Sequence, residues 1–152
     1  MLQLVGSENP ERREWMGILS RAPLEMLERW HAGANPPAHR WLRRPETGLV
    51  MVRGRAGGTG EQFNLGEMTV TRCALRLESG ESGVAYVQGR SHRKAELAAL
   101  ADALLQSGRK ERVLKELLLP VKARLASDAD AMQRKAQATR VEFFTLAREA
   151  AE

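Results

Sequence analysis

The sequence predicts an α+β fold, with a small antiparallel β-sheet flanked by N-terminal and C-terminal helices, in a single domain over residues 1–152. Three observations predict it. Apolar residues recur at helical spacing in residues 1–37 and again in residues 91–152, whereas residues 38–90 hold short β-branched runs separated by glycine-rich turns. Because such short turns join neighbouring strands in opposite directions, the sheet is expected to be an antiparallel meander.

Residues 1–37 are predicted to form two helices. Pro10 suits the first turn of one helix and Pro23 opens the other, because proline lacks the amide hydrogen that a first turn leaves unpaired. Gly33 is the expected end of the second helix. The apolar residues that share a face are Trp15, Ile18 and Leu19 in the first helix and Leu24, Leu27 and Trp30 in the second.

Residues 38–90 are predicted to form four strands joined by tight turns. The strands are residues 39–44, 49–52, 68–77 and 84–87, and the turns are residues 45–48, 56–60 and 79–83. Side chains alternate between two faces along the third strand. The set expected to be buried is Thr69, Thr71, Cys73, Leu75 and Leu77, and the set on the opposite face is Met68, Val70, Arg72, Ala74 and Arg76.

Residues 91–152 are predicted to form three helices. Ser91 is the expected N-cap of a helix through Ser107 that ends at Gly108, and its leucines and alanines give a narrow face for close packing. A second helix covers residues 110–126, with a kink or break at Pro120. Ser127 or Asp128 caps a third helix. The apolar stripe of this third helix is Met132, Ala136, Phe143 and Ala147, with Phe144 beside it.

Three consecutive leucines, Leu117, Leu118 and Leu119, point in three directions around a helix, so one helix face cannot bury them all. This predicts contact on two sides. We expect a partner chain to cover part of this surface.

Composition excludes several classes of protein. The one cysteine, Cys73, excludes internal disulfides, cysteine zinc sites and iron–sulfur clusters built by this chain alone, and it is expected to be a small core residue. No apolar run reaches the roughly 20 residues of a membrane span, so no membrane partner is expected. The first residues lack the features of a signal peptide. Together these features predict a cytoplasmic location.

The charge of residues 38–90 has two interpretations, of which a phosphorylated partner is one. The chain has 24 Lys and Arg against 19 Asp and Glu, and the cations of residues 38–90 are all arginine. Arginine presents a planar fork that suits phosphate and carboxylate. The alternative is that these arginines only solvate a surface. Nucleic acid is a weaker candidate, because 5% aromatic residues make a poor stacking platform and no run of Lys and Arg exceeds two residues.

A glycine segment is the first candidate site. Consecutive glycines let backbone amides converge on an anion, and Arg53 and Arg55 lie just upstream. The segment lacks the features of a Walker A loop or a dinucleotide fingerprint, and a tight turn is the alternative interpretation. The candidate phosphate-binding residues are Arg53, Arg55, Gly57, Gly58, Thr59, Gly60, Arg72 and Arg90.

The sequence gives weaker signals for a metal site and for acid–base catalysis. His31, His39 and His92 are too widely spaced for a metal set, so no metal site is expected. The acids Glu46, Glu61 and Glu67 fall around the sheet loops, where they either form a carboxylate pair for acid–base work or pair with the arginines and solvate turns. The catalytic residues stay unassigned.

Several motifs in a fixed order carry a family resemblance. They are residues 46–50, 55–61 with Phe63 and Gly66, 69–72 with Leu75, Val87 with Gly89 and Arg90, 95–100 with 102–104, and 139–145, preceded by Arg13, Trp15 and Met16. In these the chain resembles the PhnG family, the G subunit of the bacterial carbon–phosphorus lyase core complex. The resemblance covers nearly the whole chain.

The resemblance implies a role in phosphonate catabolism. With PhnH-, PhnI- and PhnL-like proteins, such a subunit supports displacement of adenine from ATP by a phosphonate, giving an α-D-ribose 1-phosphonate 5-triphosphate. It also implies a two-fold symmetric hetero-oligomer with PhnH-, PhnI- and PhnJ-like subunits, in which the PhnI-like subunit is the nucleosidase-like catalyst and the PhnJ-like subunit holds an iron–sulfur cluster. ATP and phosphonate are then substrates of the complex, and this chain alone binds no cofactor.

Three hypotheses follow. The first is a non-catalytic assembly subunit with little or no activity alone. The second is a direct phosphate- or nucleotide-binding contributor to the active site, acting through the candidate arginines and glycines. The third is a basic nucleic-acid-binding protein, whose affinity would fall steeply as salt rises.

Overall fold

A computed structural model describes residues 9–141. Three antiparallel strands form one sheet in the order β1-β2-β3, and helices flank it on the N-terminal and C-terminal sides, which confirms the α+β prediction and the meander. The elements in chain order are α1 (Pro10–Arg21), α2 (Leu24–Ala34), β1 (His39–Arg55), β2 (Gln62–Leu77), β3 (Ser82–Gln88), α3 (His92–Leu105), α4 (Lys110–Val113) and α5 (Leu119–Ala138).

Helices α1 and α2 begin where the prolines predict. The Asn9 side chain caps α1 by accepting a hydrogen bond from the Arg12 amide at 3.1 Å, directly before Pro10. The predicted end of α2 at Gly33 is wrong. The helix continues to Ala34, and Asn35 takes the left-handed conformation (φ 41°), which asparagine tolerates better than most residues.

The prediction of two strands separated by a turn at residues 45–48 is wrong. Strand β1 is one 17-residue strand that pairs with β2 along its length, with register shifts at Trp41/Arg43, Arg43/Glu46 and Val52/Arg53. Pro45 lies within the second shift on an edge strand, where the missing amide removes no ladder hydrogen bond. The chain therefore continues in the same strand past the proline and does not reverse direction.

Strand β2 confirms the predicted alternation and starts earlier than predicted, at Gln62. Thr71, Cys73, Leu75 and Leu77 are buried as predicted, but Thr69 is only partly buried. Cys73, Leu75 and Leu77 belong to a single core with the apolar residues of α1, α2 and α3. The tip of the β1–β2 hairpin is a short 3₁₀ turn at Ala56–Gly58, as the glycine segment predicts. Strand β3 adds only to the lower half of β2, from Val70 to Arg76.

Helix α3 is the centre of the core. Ser91 caps it as predicted, because its Oγ accepts from the Lys94 amide at 3.1 Å, and the helix ends at Leu105, two residues before the predicted end. The prediction of one narrow packing face is wrong, because α3 is buried on all sides: residues Leu97 through Leu105 are all buried. Small alanines on every side allow the sheet, α1 and α2 to approach this helix closely.

Pro120 does not break the helix that contains it. A π-helical turn at Leu114–Leu118 joins α4 to α5, and the Leu119 amide donates to the Leu114 carbonyl. This wider turn directly precedes the proline and accommodates its missing amide. Of the three leucines, Leu117 and Leu118 are buried and Leu119 is 57% exposed.

The predicted helix start at Ser127 or Asp128 is also wrong. Helix α5 runs without interruption to Ala138, and Asp128 forms an ion pair with Arg124 one turn earlier, which supports a continuous helix. Met132 and Ala136 are exposed. Phe143, Phe144 and Ala147, which complete the predicted stripe, lie outside the described residues. Among residues 9–141, no helix has the length and apolar character needed to cross a membrane.

Candidate functional site

The glycine segment forms the tip of the β1–β2 hairpin. Gly57 and Gly58 take positive φ values of 60° and 79°, which explains glycine at both positions. The Gly60 amide donates to the Ala56 carbonyl at 3.0 Å, and a Cβ at Gly60 would lie 2.9 Å from that same oxygen. Arg55 donates from Nη1 to the Gly60 carbonyl at 3.3 Å. The segment is thus a tight turn, and Thr59 lies exposed within it.

The structure does not bring the four candidate arginines together. Arg53 and Arg55 are at the hairpin tip, whereas Arg72 pairs with Glu46, seven residues before Arg53 and nine before Arg55 on β1. At about 3.3 Å per residue, the two groups are roughly 23–30 Å apart. Arg90 lies exposed in the connection between β3 and α3. One phosphate therefore cannot contact the tip arginines and Arg72 of the same chain.

Arg72 is the centre of a polar cluster at the base of the hairpin. Oε1 of Glu46 accepts from Nη1 of Arg43 at 2.7 Å and from Nε of Arg72 at 2.6 Å. The hydrogen bonds from Arg43 and Arg72 lower the pKa of Glu46. The Tyr86 hydroxyl, 3.3 Å from Nη1 of Arg72, and the Glu46 carboxylate raise the pKa of Arg72. Two guanidinium groups thus converge on one exposed carboxylate oxygen.

This cluster belongs to a larger surface that we call the outer sheet face, the side of the sheet opposite α3. The strand register divides it into two halves. The basic half lies at the base of the hairpin and consists of Arg40, Arg43, Arg72 and Arg76 with Glu46 and Tyr86. The apolar half lies toward the tip and consists of Val50, Val52, Phe63, Leu65, Met68 and Val70.

A β-bulge places Phe63 and Leu65 on this face. Val52 pairs with Gly66, but the next residue, Arg53, pairs with Asn64, so Leu65 is an extra residue in β2. The extra residue shifts the alternation by one, which turns Phe63 and Leu65 to the side of Val52. In agreement, a Cβ at Gly54 would lie 3.8 Å from the Phe63 ring and 3.9 Å from Cβ of Leu65.

The three sheet acids do not form a carboxylate pair. Glu46 is in the arginine cluster, Glu67 is opposite Met51, and Glu61 follows the tip turn. Glu46 and Glu67 are about 16 Å apart along the hairpin, too far to share a proton or a substrate atom. For Glu46 the pairing with arginine is confirmed.

The histidines are dispersed, and residues 9–141 contain no group of three or more His, Cys, Asp or Glu that could hold a metal ion. His92 ends a hydrogen-bond chain on the helix side of the sheet. The buried Thr71 hydroxyl donates to the Gly89 carbonyl at 2.7 Å and so accepts from Thr47 at 2.9 Å. Thr47 has then used its only hydrogen, so Nε2 of His92, at 3.2 Å, is the donor in the last step.

Cys73 is a core residue, as predicted. It is 1% exposed, and burial, with the nearby charge of Glu96 as a smaller contribution, raises the pKa of its thiol to about 12. The thiol stays protonated near neutral pH and cannot act as a nucleophile.

We expect Cys73 to resist alkylation in the native protein. The shift in pKa from 9.0 to about 12 lowers the thiolate population at pH 8 about a thousandfold, and burial slows the reaction further. Mass spectrometry after iodoacetamide treatment at pH 8, with and without urea, measures this. Equal rates in both conditions would contradict the buried position.

Sequence analysis missed a buried carboxylate. Asp102 is 0% exposed on α3, and its two oxygens accept hydrogen bonds from Arg12, Trp15 and the Val84 amide. The signal in the sequence is an aspartate within the otherwise apolar run of α3, together with Arg12 and Trp15 three residues apart on α1. Every oxygen is paired within the chain, so this carboxylate has a structural role.

Comparisons with known proteins agree over nearly the whole chain. Residues 10–149 match the family model described as "Phosphonate metabolism protein PhnG". The chain is also 45% identical over 139 residues to the "Alpha-D-ribose 1-methylphosphonate 5-triphosphate synthase subunit PhnG" of Rhizobium meliloti (strain 1021). That match covers 91% of this chain and 89% of the relative. The family match spans every helix and strand from α1 to α5.

Proposed function

Because this chain belongs to the PhnG family of phosphonate metabolism proteins, we propose that it is a subunit of an alpha-D-ribose 1-methylphosphonate 5-triphosphate synthase. In that complex, a phosphonate displaces adenine from ATP, and both are substrates of the complex and not ligands of this chain alone. The observation that carries the proposal is 45% identity over 91% of the chain to a relative of that name.

The role proposed for this chain is assembly without catalysis. Two of its carboxylates form ion pairs within the chain. Glu46 pairs with Arg43 and Arg72, and Asp102 pairs with Arg12. The thiol of Cys73 is protonated and buried. What the chain offers to other molecules is the outer sheet face, whose exposed apolar side chains suit contact with protein. The proposed partners are PhnH-, PhnI- and PhnJ-like subunits in a two-fold symmetric hetero-oligomer, located in the cytoplasm, with a PhnL-like protein needed for the reaction.

Reconstitution tests this role. We expect the purified complex to release adenine from ATP in the presence of methylphosphonate, with loss of more than about 99% of the rate when this chain is omitted, because an obligate subunit cannot be bypassed. The isolated chain is expected to release none. Adenine is measured by chromatography. Release at the full rate without this chain would refute the proposal, and release by the isolated chain would refute the non-catalytic role.

A second candidate role, direct binding of a substrate phosphate, is favoured by one observation. Arg43 and Arg72 converge on a single Glu46 oxygen, a position that a phosphate oxygen can take instead. An Arg72→Ala complex separates the two roles. The assembly role predicts that the complex, once formed, has an unchanged KM for ATP and methylphosphonate, whereas the binding role predicts a KM raised at least about tenfold for one of them.

A further inference from the structure

The outer sheet face has the properties of a docking surface for one kind of partner. We propose that another protein subunit docks on it through an apolar groove that is flanked by carboxylates. The groove covers the apolar half near the hairpin tip, and the carboxylates face the arginines of the basic half. This inference rests on the proposed function, since it assigns a place to the subunit contact.

The chain's own described helices leave the apolar half uncovered, and Leu49 and Met51 on the other side of the ribbon are exposed as well. Glu61 and the first residues of β2, through Glu67, are all exposed. The side chains of Leu65 and Phe63 are 65% and 46% exposed. Strand β3 stops at Val70, so the hairpin beyond it is a two-stranded ribbon. Such a ribbon is only marginally stable in water by itself, and burial of its apolar side chains would stabilise it.

The positive charge of the outer sheet face favours a partner that carries carboxylates. Residues 39–77 carry seven arginines against three glutamates, and four of the arginines form the basic half. A second copy of this chain presents an excess of arginines on this face and so offers the basic half no complementary charge. A partner with carboxylates beside its groove gains complementary charge, which speeds association and fixes the orientation of docking.

The free edge of β1 is a poor site for strand addition. Strand β1 presents a free edge of 17 residues, but two register shifts with extra residues in β1, the second at Pro45, interrupt its row of backbone donors and acceptors. Bulges, proline and charged side chains are the features that protect sheet edges from strand addition. The bulge at Leu65 has the additional effect of gathering Phe63 and Leu65 onto the apolar half.

The test compares two pairs of substitutions with a matched control. Phe63→Asp with Leu65→Asp puts charge into the apolar half, and Arg40→Glu with Arg76→Glu reverses charge in the basic half. Met132→Asp makes the same kind of change at a 74% exposed apolar residue on α5. Each full-length variant is titrated by biolayer interferometry against immobilised PhnH-, PhnI- and PhnJ-like subunits that were co-expressed without this chain.

We expect the apolar-half variant to lose at least about 30-fold in affinity, as for a hot-spot pair. The basic-half variant is expected to associate more slowly, with weaker dependence of its association rate on salt. The control should bind like the wild type. Circular dichroism melts check folding, and because the two pairs lie on different parts of the face, either pair tests the proposal by itself.

The outcomes separate the inference from the function. Wild-type protein that does not bind the other subunits refutes the proposed function and the inference with it. Wild-type binding that a folded variant of either pair retains in full, or that the control loses equally, overturns the inference alone. Sedimentation of the isolated wild type tests whether a second copy of this chain occupies the face. If the wild type is a dimer, and Phe63→Asp with Leu65→Asp converts it to a monomer, the occupant is a second copy and the proposed hetero-subunit contact is overturned.

Discussion

Replacing Asp102 by alanine is expected to lower the free energy of unfolding by about 3–5 kcal/mol. Among residues 9–141, this is the largest loss of stability that we expect from removing one polar side chain. Oδ2 of Asp102 accepts from Nη2 of Arg12 at 2.8 Å and from the Val84 amide at 2.9 Å. Oδ1 accepts from Nε1 of Trp15 at 2.8 Å and from Nε of Arg12 at 3.2 Å. This one carboxylate therefore connects α1, α3 and the free edge of β3.

The cost arises from the donors that the substitution leaves behind. Trp15 is 3% exposed, so its indole N–H cannot reach water, and an unpaired buried donor costs about 1–3 kcal/mol. The side chain of Arg12 is 31% exposed and recovers part of its hydration. Asp102→Asn keeps the shape but turns an amide NH₂ toward other donors, so we expect a smaller loss of about 2 kcal/mol.

Urea unfolding followed by tryptophan fluorescence measures these losses. The matched control is Glu14→Ala, which removes another acid–base contact of α1, the pair with Lys122, in which both side chains are about 60% exposed. A surface pair of this kind contributes little, so the urea midpoint of the control should stay close to that of the wild type. An Asp102→Ala protein as stable as the control would contradict the role of the carboxylate.

The sequence was sufficient for features that depend on near neighbours. The N-cap at Ser91 and the alternation around Cys73 act within a few residues, so their residue types indicate the structure directly. The glycine turn at the hairpin tip was predictable for the same reason, since positive φ at Gly57 requires no distant contact.

Features that depend on distant partners were missed or mistaken. Pro45 has the local chemistry of a turn, and only its pairing with a strand some 30 residues later makes it part of a bulge. Asp102 looks like an exposed helix residue until Arg12, 90 residues away, is placed beside it. The outer sheet face depends on a one-residue bulge at Leu65, because without it Phe63 would point to the opposite side.

Gly83 is the position where the smallest substitution should have a comparably large effect. An alanine Cβ there would lie 1.8 Å from the Ala99 carbonyl oxygen and 2.9 Å from both N and Cβ of Ala103. Strand β3 is thus in backbone contact with the middle of α3, and a methyl group cannot fit unless strand and helix separate. We expect Gly83→Ala to cost about 3 kcal/mol, the upper part of the range for overpacked cores, and Gly83→Val to leave most of the protein insoluble.

Two further variants test whether the loss of stability in Gly83→Ala arises from a clash with the backbone of α3. Gly48 lies on β1, and an alanine Cβ at that position would have no atom within 4 Å, so Gly48→Ala is expected to change stability by less than about 1 kcal/mol. Ala103→Gly removes one of the clashing methyl groups but leaves the Ala99 carbonyl in place, so it should not restore stability to Gly83→Ala. Urea midpoints of the three proteins decide the point, because rescue by Ala103→Gly would show that side chains, and not the helix backbone, set the distance between β3 and α3.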